Sequence, residues 1–202
     1  NIEKIELHKW LQKNYEFFKY GIVESVQLDS ERDFNLKITT KNQKQFVVKI
    51  SNTSEDYNIL LLQDQMLNHL SKSVIKNSIP YPLHKNINQF PDFYGRPCFV
   101  RILPFIKGDI FADKQNNEVL CKNFGKFLGY LSVALSDYSN LAAHRKFIWD
   151  SINIEWIKNE IQLFSEPIKQ DIIKMVLQSY INIVKNKLSR IRYSIIHGDA
   201  NN

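Results

Sequence analysis

The chain has 202 residues, of which 44% are hydrophobic and 24% charged, and its formal net charge is +6. That composition is typical of a folded chain and excludes a disordered one, and no apolar run approaches the roughly 20 residues that cross a bilayer. Lys and Arg are spread among Asp and Glu, without the basic blocks of a nucleic-acid-binding tail. We therefore expect neither a membrane nor a nucleic-acid partner, and the oligomeric state stays open.

The two cysteines, Cys98 and Cys121, lie far apart in the sequence and among apolar residues. Such isolated thiols predict buried, reduced side chains rather than a disulfide scaffold or a zinc site. Residues 1–9 alternate charged and apolar side chains and lack the continuous apolar stretch of a secretory signal. Together these features favour a cytoplasmic protein.

The first half of the chain has the periodicities of an antiparallel sheet with flanking helices. Apolar residues at helical spacing predict a short helix within residues 3–18, and a second helix follows from about residue 55 to residue 70. Between them, β-rich runs separated by polar turns predict three strands, at residues 22–28, 34–39 and 46–50. This order predicts a three-stranded antiparallel meander.

The second half begins with one more predicted strand, at residues 98–103, which Pro104 and Gly108 interrupt. Two rows of apolar residues at helical spacing then predict buried helix faces. These rows are Leu120, Phe124, Phe127, Leu128, Leu131 and Leu135, and Ile168, Ile172, Val176, Tyr180, Val184 and Leu188. A short buried strand is predicted at residues 194–196, directly before His197, Gly198 and Asp199.

Lys49 lies inside the apolar strand 46–50, where burying an ammonium is costly unless an anion meets it. Nucleotide phosphates would supply that anion, as they do for the lysine on the third strand of kinases. The alternative is a strand lysine whose ammonium reaches solvent. The order of strands, helix and proline-glycine break favours the phosphate-binding interpretation.

The turn at residues 28–35 contains no glycine, so it lacks the glycine-rich phosphate loop of protein kinases. A polar turn can still hold phosphates through its backbone N–H groups and the Ser30 hydroxyl, and Asn35 at its end is a further nucleotide-binding candidate. The missing glycines argue against a protein kinase and favour a small-molecule kinase of the same fold. The alternative is an ordinary hairpin turn.

The tripeptide His197-Gly198-Asp199 is typical of the catalytic loop of kinase-like phosphotransferases, although alone it also fits a turn after an edge strand. In such enzymes the Asp accepts the proton of the attacking hydroxyl, and an Asn five residues later helps to hold Mg²⁺. That Asn would fall at position 204, and the sequence stops at Asn202. The pattern therefore includes the base and no metal ligand.

The predicted fold class is α+β, with the two lobes of a protein-kinase-like fold. Residues 1–103 would form a small nucleotide-binding lobe around an antiparallel sheet, residues 104–108 a hinge, and residues 109–202 part of a mostly helical second lobe. The reason is the order of the elements, which runs from strands with one main helix, through a break, to helices and the His-Gly-Asp loop.

Five stretches of the chain resemble the aminoglycoside phosphotransferase/choline kinase superfamily, and most closely its hydroxylysine kinase branch. That branch is similar to phosphotransferase domains fused to class III aminotransferases. The stretches follow the family's order over nearly the whole chain, at residues 30–35, 48–53, 100–108, 144–150, and 188–193 running into the His-Gly-Asp loop.

The resemblance implies a nucleotide site and a catalytic base. Lys49 would bind the nucleotide phosphates, Asp199 would be the base, and the backbone from Arg101 through Leu103 to Phe105 would form the purine-binding hinge. The implied cofactor is Mg²⁺ with ATP or GTP.

His144, Arg145, Trp149 and Asp150 lie where the family builds its substrate-side wall. They offer a carboxylate for a substrate amine and a cation for a substrate carboxylate, which suits an amino-acid substrate. The structural alternative is that Trp149 only packs and that Asp150 caps the helix that follows it.

The chain also departs from the family's pattern. The helix Glu that normally pairs with the strand Lys would fall near Leu61, so Glu55, Gln63 or Asp64 would have to replace it. The Mg²⁺-binding Asn and a later Asp are absent, so we predict no metal ligand within the chain. We therefore expect the 202-residue chain on its own to be inactive.

The sequence thus predicts part of a small-molecule kinase that transfers the γ-phosphoryl of ATP or GTP to a hydroxyl of an amino-acid-like acceptor. Hydroxylysine is the leading acceptor. A second interpretation keeps the fold and changes the acceptor to an aminoglycoside, choline or homoserine. A third takes the departures at face value and predicts a kinase-like binding module without turnover.

Overall fold

An antiparallel sheet organises the N-terminal half of the computed structural model, which describes residues 2–115, 117–145 and 148–200. Its strands are β1 (Ile22–Leu28), β2 (Phe34–Thr40), β3 (Gln45–Ile50), β4 (Asn88–Pro91) and β5 (Pro97–Pro104). Across the sheet their order is β1-β2-β3-β5-β4, with every neighbouring pair antiparallel. The predicted meander is confirmed, and β5 extends it beyond β3.

Helices flank this sheet and follow it along the chain. The α-helices are α1 (Lys4–Asn14), α2 (Tyr57–Leu70), α3 (Glu118–Ala134) and α4 (Pro167–Ser179). Short 3-10 helices and one π-helical turn connect them, at Glu16–Phe18, Lys76–Ser78, Phe111–Asp113, Leu141–Ala143, Ser151–Asn159, Ile161–Leu163, Tyr180–Val184 and Lys185–Arg190. The side chains of Asp56 and Asn117 begin α2 and α3 by accepting backbone N–H groups of Asn58 (2.7 Å) and Leu120 (2.9 Å).

The main apolar core lies between α1 and one face of the sheet. Phe46, Val48 and Ile50 of β3 belong to it. Because successive side chains of a strand point to opposite faces, Val47 and Lys49 lie on the other face. The buried residues of this core are Leu7, Leu11, Tyr15, Phe18, Leu36, Ile38, Phe46, Val48, Ile50, Phe90, Cys98, Val100 and Ile102.

A second apolar cluster joins the end of α2 to the end of α3. Its buried residues are Leu70, Ile75, Ile79, Leu131 and Leu135. A polar contact reinforces it, because His69 Nε2 lies 2.9 Å from the Ala134 carbonyl oxygen and 3.2 Å from Asp137 Oδ1. Ile195 packs against the same cluster, which attaches the segment before the His-Gly-Asp tripeptide to α2 and α3.

The chain divides into two compact units. One comprises the described residues up to Ala142 together with those from Ile195 onward, and the other comprises those from Ala143 to Ser194. The sheet and its helices confirm the α+β fold class, whereas the lobe boundaries around residues 104–108 stay a prediction. None of the described helices combines the length and apolar character that a membrane span requires.

The predicted burial of the second apolar row is wrong. Ile168 and Ile172 are 69% and 52% exposed, and Tyr180 is the row's one buried member among the described residues. The helical pitch also changes, because a π-helical turn follows α4 and a 3-10 helix follows that turn. Periodicity predicts an apolar face but not the element that covers it, and Ile168 and Ile172 are exposed within α4 itself.

The prediction of two buried thiols is half correct. Cys98 is buried in β5, where burial raises the pKa of its thiol. Cys121 is exposed on the first turns of α3, a helix that buries only its distal end against the second cluster. Apolar neighbours in sequence do not bury a helical residue unless the helix packs at that turn.

Candidate active site

Three polar side chains lie in one row across the sheet, on the face opposite the α1 core. The strand register places Asn35 of β2 directly opposite Lys49 of β3, and Lys49 directly opposite Arg101 of β5. Directly opposed residues on one face have Cβ atoms about 5 Å apart. The register therefore brings together three of the predicted nucleotide-binding residues.

Lys49 is partly buried in the middle of this row. Burial lowers the pKa of its ammonium, the adjacent positive charge of Arg101 lowers it further, and Asp33 opposes both effects. Among the described residues, no carboxylate forms an ion pair with this ammonium. A desolvated cation without a resident carboxylate is suited to receive an anionic ligand.

The α2 residues beside this row do not form the expected ion pair with Lys49. Of the three residues that could replace the missing Glu, Asp64 is the buried one, but its Oδ1 accepts from Arg101 Nη1 at 3.2 Å. Its Oδ2 lies 2.7 Å from Nε2 of His84. Asp64 therefore binds Arg101 and His84 rather than Lys49. No ion pair joins Glu55 to Lys49 in the described structure, and the neutral amide of Gln63 cannot form one.

This buried set of Asp64, His84 and Arg101 was not predicted, although Arg101 was expected to contribute through its backbone. One sequence signal could have found it: Arg101 lies within an apolar strand, as Lys49 does, and a buried guanidinium requires an acceptor. The sequence contains no comparable signal for His84, because it is placed by the irregular segment between α2 and β4.

The turn between β1 and β2 is held by its own polar side chains. The Ser30 hydroxyl accepts the backbone N–H of Asp33 at 3.3 Å. Asp33 Oδ1 accepts the backbone N–H of Asn52 at 3.2 Å, which ties the turn to the segment before α2. At the end of the turn, Asn35 is buried and its Oδ1 has no hydrogen-bond partner in the described structure.

The predicted hinge follows the end of β5. Leu103 is buried, and the Phe105 backbone N–H donates to the Gln45 carbonyl oxygen at 3.1 Å. Lys37 Nζ lies 4.5 Å from the centre of the Phe105 ring. The backbone of Ile102 is also occupied, because its carbonyl accepts the Leu83 N–H at 2.9 Å and its N–H donates to a ring nitrogen of His84.

The His-Gly-Asp tripeptide is not preceded by the predicted buried strand. Residues 194–196 form no strand in the described structure, and Ile196 is 67% exposed while Ile195 packs inward. A strand needs a paired neighbour, and this segment packs on helices instead. Gly198 has φ 78°, a conformation that favours glycine, and the Asp199 backbone N–H donates to His197 Nδ1 at 3.3 Å.

The predicted substrate wall lies in the second compact unit, and Lys146 and Phe147 within it lie outside the described residues, as do Asn201 and Asn202. His144 and Arg145 are exposed, and Trp149 is 82% exposed. Asp150 Oδ1 accepts the Ile152 backbone N–H at 3.0 Å, so the capping alternative for Asp150 is confirmed. Because Asp150 Oδ2 also accepts the Asn153 amide at 3.3 Å, both carboxylate oxygens have local partners.

The described residues do not form a metal centre. Within residues 2–115, 117–145 and 148–200, no three His, Cys, Asp or Glu side chains gather into a group that could hold a metal ion. We therefore assign no Mg²⁺ ligand among these residues.

A comparison with solved structures identifies the fold. Amicoumacin kinase, in complex with AMP-PNP, Ca²⁺ and Ami, matches 95% of this chain and 55% of its own chain, with a TM-score of 0.61 and 17% sequence identity. The sheet with its flanking helices thus has the kinase-like fold.

Comparisons of the sequence then narrow the class, although no family model matches the chain. Hydroxylysine kinase of Danio rerio is 25% identical over 195 residues, which cover 90% of this chain and 55% of that protein. Hydroxylysine kinase of Mus musculus is 23% identical over 202 residues, which cover 91% and 53%. The chain is thus a distant homologue of hydroxylysine kinases, which supports its resemblance to the aminoglycoside phosphotransferase/choline kinase-like superfamily. It spans about half the length of the curated relatives it matches.

Proposed function

We propose that the whole protein is a small-molecule kinase that transfers the γ-phosphoryl of ATP or GTP to a hydroxyl of an amino-acid-like acceptor. The observation that carries this proposal is the partly buried Lys49 ammonium, which forms no ion pair with a carboxylate of the described residues and shares its sheet face with Asn35 and Arg101. Nucleotide phosphates would compensate that charge. Hydroxylysine is the favoured acceptor because the distant relatives are hydroxylysine kinases.

The proposed roles follow the two halves of the reaction. Lys49 binds the phosphates, with Ser30 and Asn35 at the neighbouring turn, and the β5 backbone around Leu103 and Phe105 contacts the purine. Asp199 accepts the proton of the attacking hydroxyl. Mg²⁺ accompanies the nucleotide and neutralises its charge when bound. Residues 1–103 act as the nucleotide lobe, 104–108 as the hinge and 109–202 as part of the acceptor lobe, in a cytoplasmic enzyme.

Fewer structural observations support the residues proposed to contact the acceptor. His144, Arg145 and Trp149 are proposed to contact an amino-acid acceptor, whereas Asp150 would have to give up its capping contacts to do so. The second candidate function is a kinase-like binding module without turnover. It is favoured by one observation, namely that Asp64 binds Arg101 instead of pairing with Lys49.

The test is a comparison of Asp199→Asn with the unsubstituted whole protein, with Mg²⁺, ATP or GTP, and hydroxylysine. Removing the general base while keeping the shape should leave nucleotide affinity unchanged and lower phosphoryl transfer by about 10² or more. ADP or GDP release and isothermal titration calorimetry give the two values. Turnover of the variant at the unsubstituted rate would remove Asp199 from this role, and absence of turnover in the whole protein with every proposed acceptor would favour the binding module.

A further inference from the structure

Asn35 is a buried side chain with an unused hydrogen-bond acceptor. The residue is 8% exposed, and its side-chain oxygen Oδ1 has no hydrogen-bond partner among the described residues. A buried acceptor without a donor is costly to the folded state, whereas an apolar residue of similar size is not. Since Asn35 lies on the sheet face proposed to bind phosphates, this cost indicates a role in binding rather than in folding.

The strand register shows which neighbour can supply the missing donor. Asn35 of β2 lies directly opposite Leu28 of β1 on one side and Lys49 of β3 on the other. Leu28 has no polar side-chain group, whereas the Lys49 ammonium has three N–H donors and no acceptor. Directly opposed residues on one face have Cβ atoms about 5 Å apart, a gap that a lysine side chain spans. Lys49 is therefore the donor that the register places beside this oxygen.

The polar neighbours of Asn35 along the chain do not compete for this contact. Side chains two positions apart in a strand share a face, so these neighbours are Asp33 and Lys37. An ionised carboxylate such as that of Asp33 accepts hydrogen bonds and donates none. The Lys37 ammonium lies 4.5 Å from the centre of the Phe105 ring. The Asn35 oxygen thus stays available to Lys49.

An anion bound at Lys49 creates the need for this contact. The partly buried ammonium forms no ion pair with a carboxylate of the described residues. A bound anion accepts the ammonium hydrogens that face it and displaces water from the others. Those remaining hydrogens then need an acceptor within the protein, because an unpaired donor of a charged group is costly once water is gone.

We propose that Asn35 is a positioning residue, whose side-chain oxygen accepts a hydrogen bond from the Lys49 ammonium and directs its other hydrogens towards a bound anion. The expected helix carboxylate does not hold Lys49 here, because Asp64 binds Arg101 and His84. Asn35 supplies that orienting contact from within the sheet. The identity of the anion as a nucleotide phosphate rests on the proposed function, whereas the contact between Asn35 and Lys49 does not.

A double-variant cycle in the whole protein tests this role, with ATP as the probe and isothermal titration calorimetry as the measurement. Asn35→Leu should weaken ATP binding about tenfold, because the ammonium loses a charge-assisted hydrogen bond. Lys49→Met leaves no ammonium to direct, so adding Asn35→Leu to it should change the affinity by less than about threefold. If the two substitutions weaken binding additively, Asn35 acts independently of Lys49 and the proposal is wrong.

Stability measurements separate this role from a structural one. Asn35→Leu removes a buried acceptor that has no donor, so its urea midpoint should not fall. A midpoint that falls together with an additive cycle would assign Asn35 a structural role. Should Asn35→Leu not fold, Asn35→Ala removes the same oxygen and takes its place in the cycle. Asn68→Leu is the matched control, because it removes the same amide from an exposed position on α2 and should leave ATP affinity and midpoint unchanged.

Asn35→Asp identifies the atom that acts. This substitution keeps the shape and an oxygen acceptor for Lys49 but removes the side-chain N–H donors. Because a carboxylate also holds a lysine ammonium, Asn35→Asp should bind ATP more tightly than Asn35→Leu does. Binding as weak as that of Asn35→Leu would assign the effect to the side-chain nitrogen and overturn the proposal.

Inorganic tripolyphosphate separates the role of Asn35 from the proposed function, because it carries phosphates without a base or a ribose. Asn35→Leu should weaken its binding about as much as that of ATP, since Asn35 acts through the Lys49 ammonium. If the cycle is non-additive with tripolyphosphate while ATP does not bind, the proposed function fails and the role of Asn35 stands. If ATP binds and Asn35→Leu leaves both affinities unchanged, the role fails and the proposed function stands. If neither anion binds, both are overturned.

Discussion

The two faces of the sheet show how the same strands serve stability on one side and ligand chemistry on the other. Val48 and Ile102 are fully buried against the α1 side, whereas Lys49 and Arg101, one position away on each strand, lie on the opposite face. The first face is closed mainly by apolar side chains. The second keeps cations partly or fully desolvated, which an apolar core would not tolerate. Stability and binding should therefore respond separately to substitutions on the two faces.

The largest effect is expected on the apolar face. Phe18 is fully buried, and its ring centre lies 5.1 Å from that of Phe46. Phe18→Ala should lower the free energy of unfolding by about 3–5 kcal/mol, because it removes buried area and leaves a cavity. Urea denaturation measures this value. ATP affinity under conditions where the variant is folded should be unchanged. A loss of affinity there would show that the apolar face also contributes to ATP binding.

Lys49→Met tests the polar face. ATP affinity should fall about 10- to 100-fold because a desolvated cation facing the phosphates is lost, while the free energy of unfolding should not decrease. Isothermal titration calorimetry and urea denaturation give the two values. Lys44→Met, at an exposed position next to the same strand, is the control. Equal affinity of Lys49→Met and the unsubstituted chain would make Lys49 a strand lysine that reaches solvent.

The pH dependence of stability sharpens the same comparison. Burial, followed by Arg101, lowers the pKa of Lys49 from 10.5 in the folded chain. Between the lowered pKa and 10.5 the unfolded chain binds more protons than the folded chain, so this residue makes stability rise with pH in that window. Lys49→Met lacks this rise. As pH rises from neutral towards 10.5, the difference between the urea midpoints of the two chains should shift in favour of the unsubstituted chain, and a constant difference would contradict the desolvation of Lys49.

The smallest effect is expected in the second compact unit, at the exposed apolar row of α4. Ile172 is 52% exposed, so Ile172→Ala should change the free energy of unfolding by no more than about 0.5 kcal/mol. Urea denaturation at two protein concentrations measures it. A loss of about 2 kcal/mol, the cost at a buried position, would show that this row is covered in solution.

Local signals in the sequence predicted most of the sheet. Alternation in β1, β2 and β3 and the polar turns between them located the meander, because strand periodicity is read directly from neighbouring residues. The short strand β4 was missed, since four residues ending in Pro91 contain little periodicity. Asp92 followed by Gly95 was a usable turn signal in the sequence. In the structure, Asp92 Oδ1 accepts the N–H groups of Tyr94 and Arg96, and Gly95 has φ 78°.

The candidate site was likewise predictable from the sequence only in part. Its residue types were predictable, because a lysine inside an apolar strand and a His-Gly-Asp tripeptide each indicate a particular chemistry. The partners of Asp64 were not predictable, because Asp64 was itself one of three candidates for pairing with Lys49, beside Glu55 and Gln63, and His84 comes from an irregular segment. The exposure of Ile196 likewise depends on packing against helices rather than on the apolar run itself.

By itself, the sequence determined the α+β class and the strands that place Lys49, since each depends on residue order and local periodicity, and it carried the resemblance to hydroxylysine kinases. Only the tertiary structure decided that Asn35, Lys49 and Arg101 share one row and that Asp64 binds Arg101. Register aligns side chains from strands far apart in sequence, and the partner of a buried carboxylate depends on burial and distance. Neither quantity exists until the chain is folded.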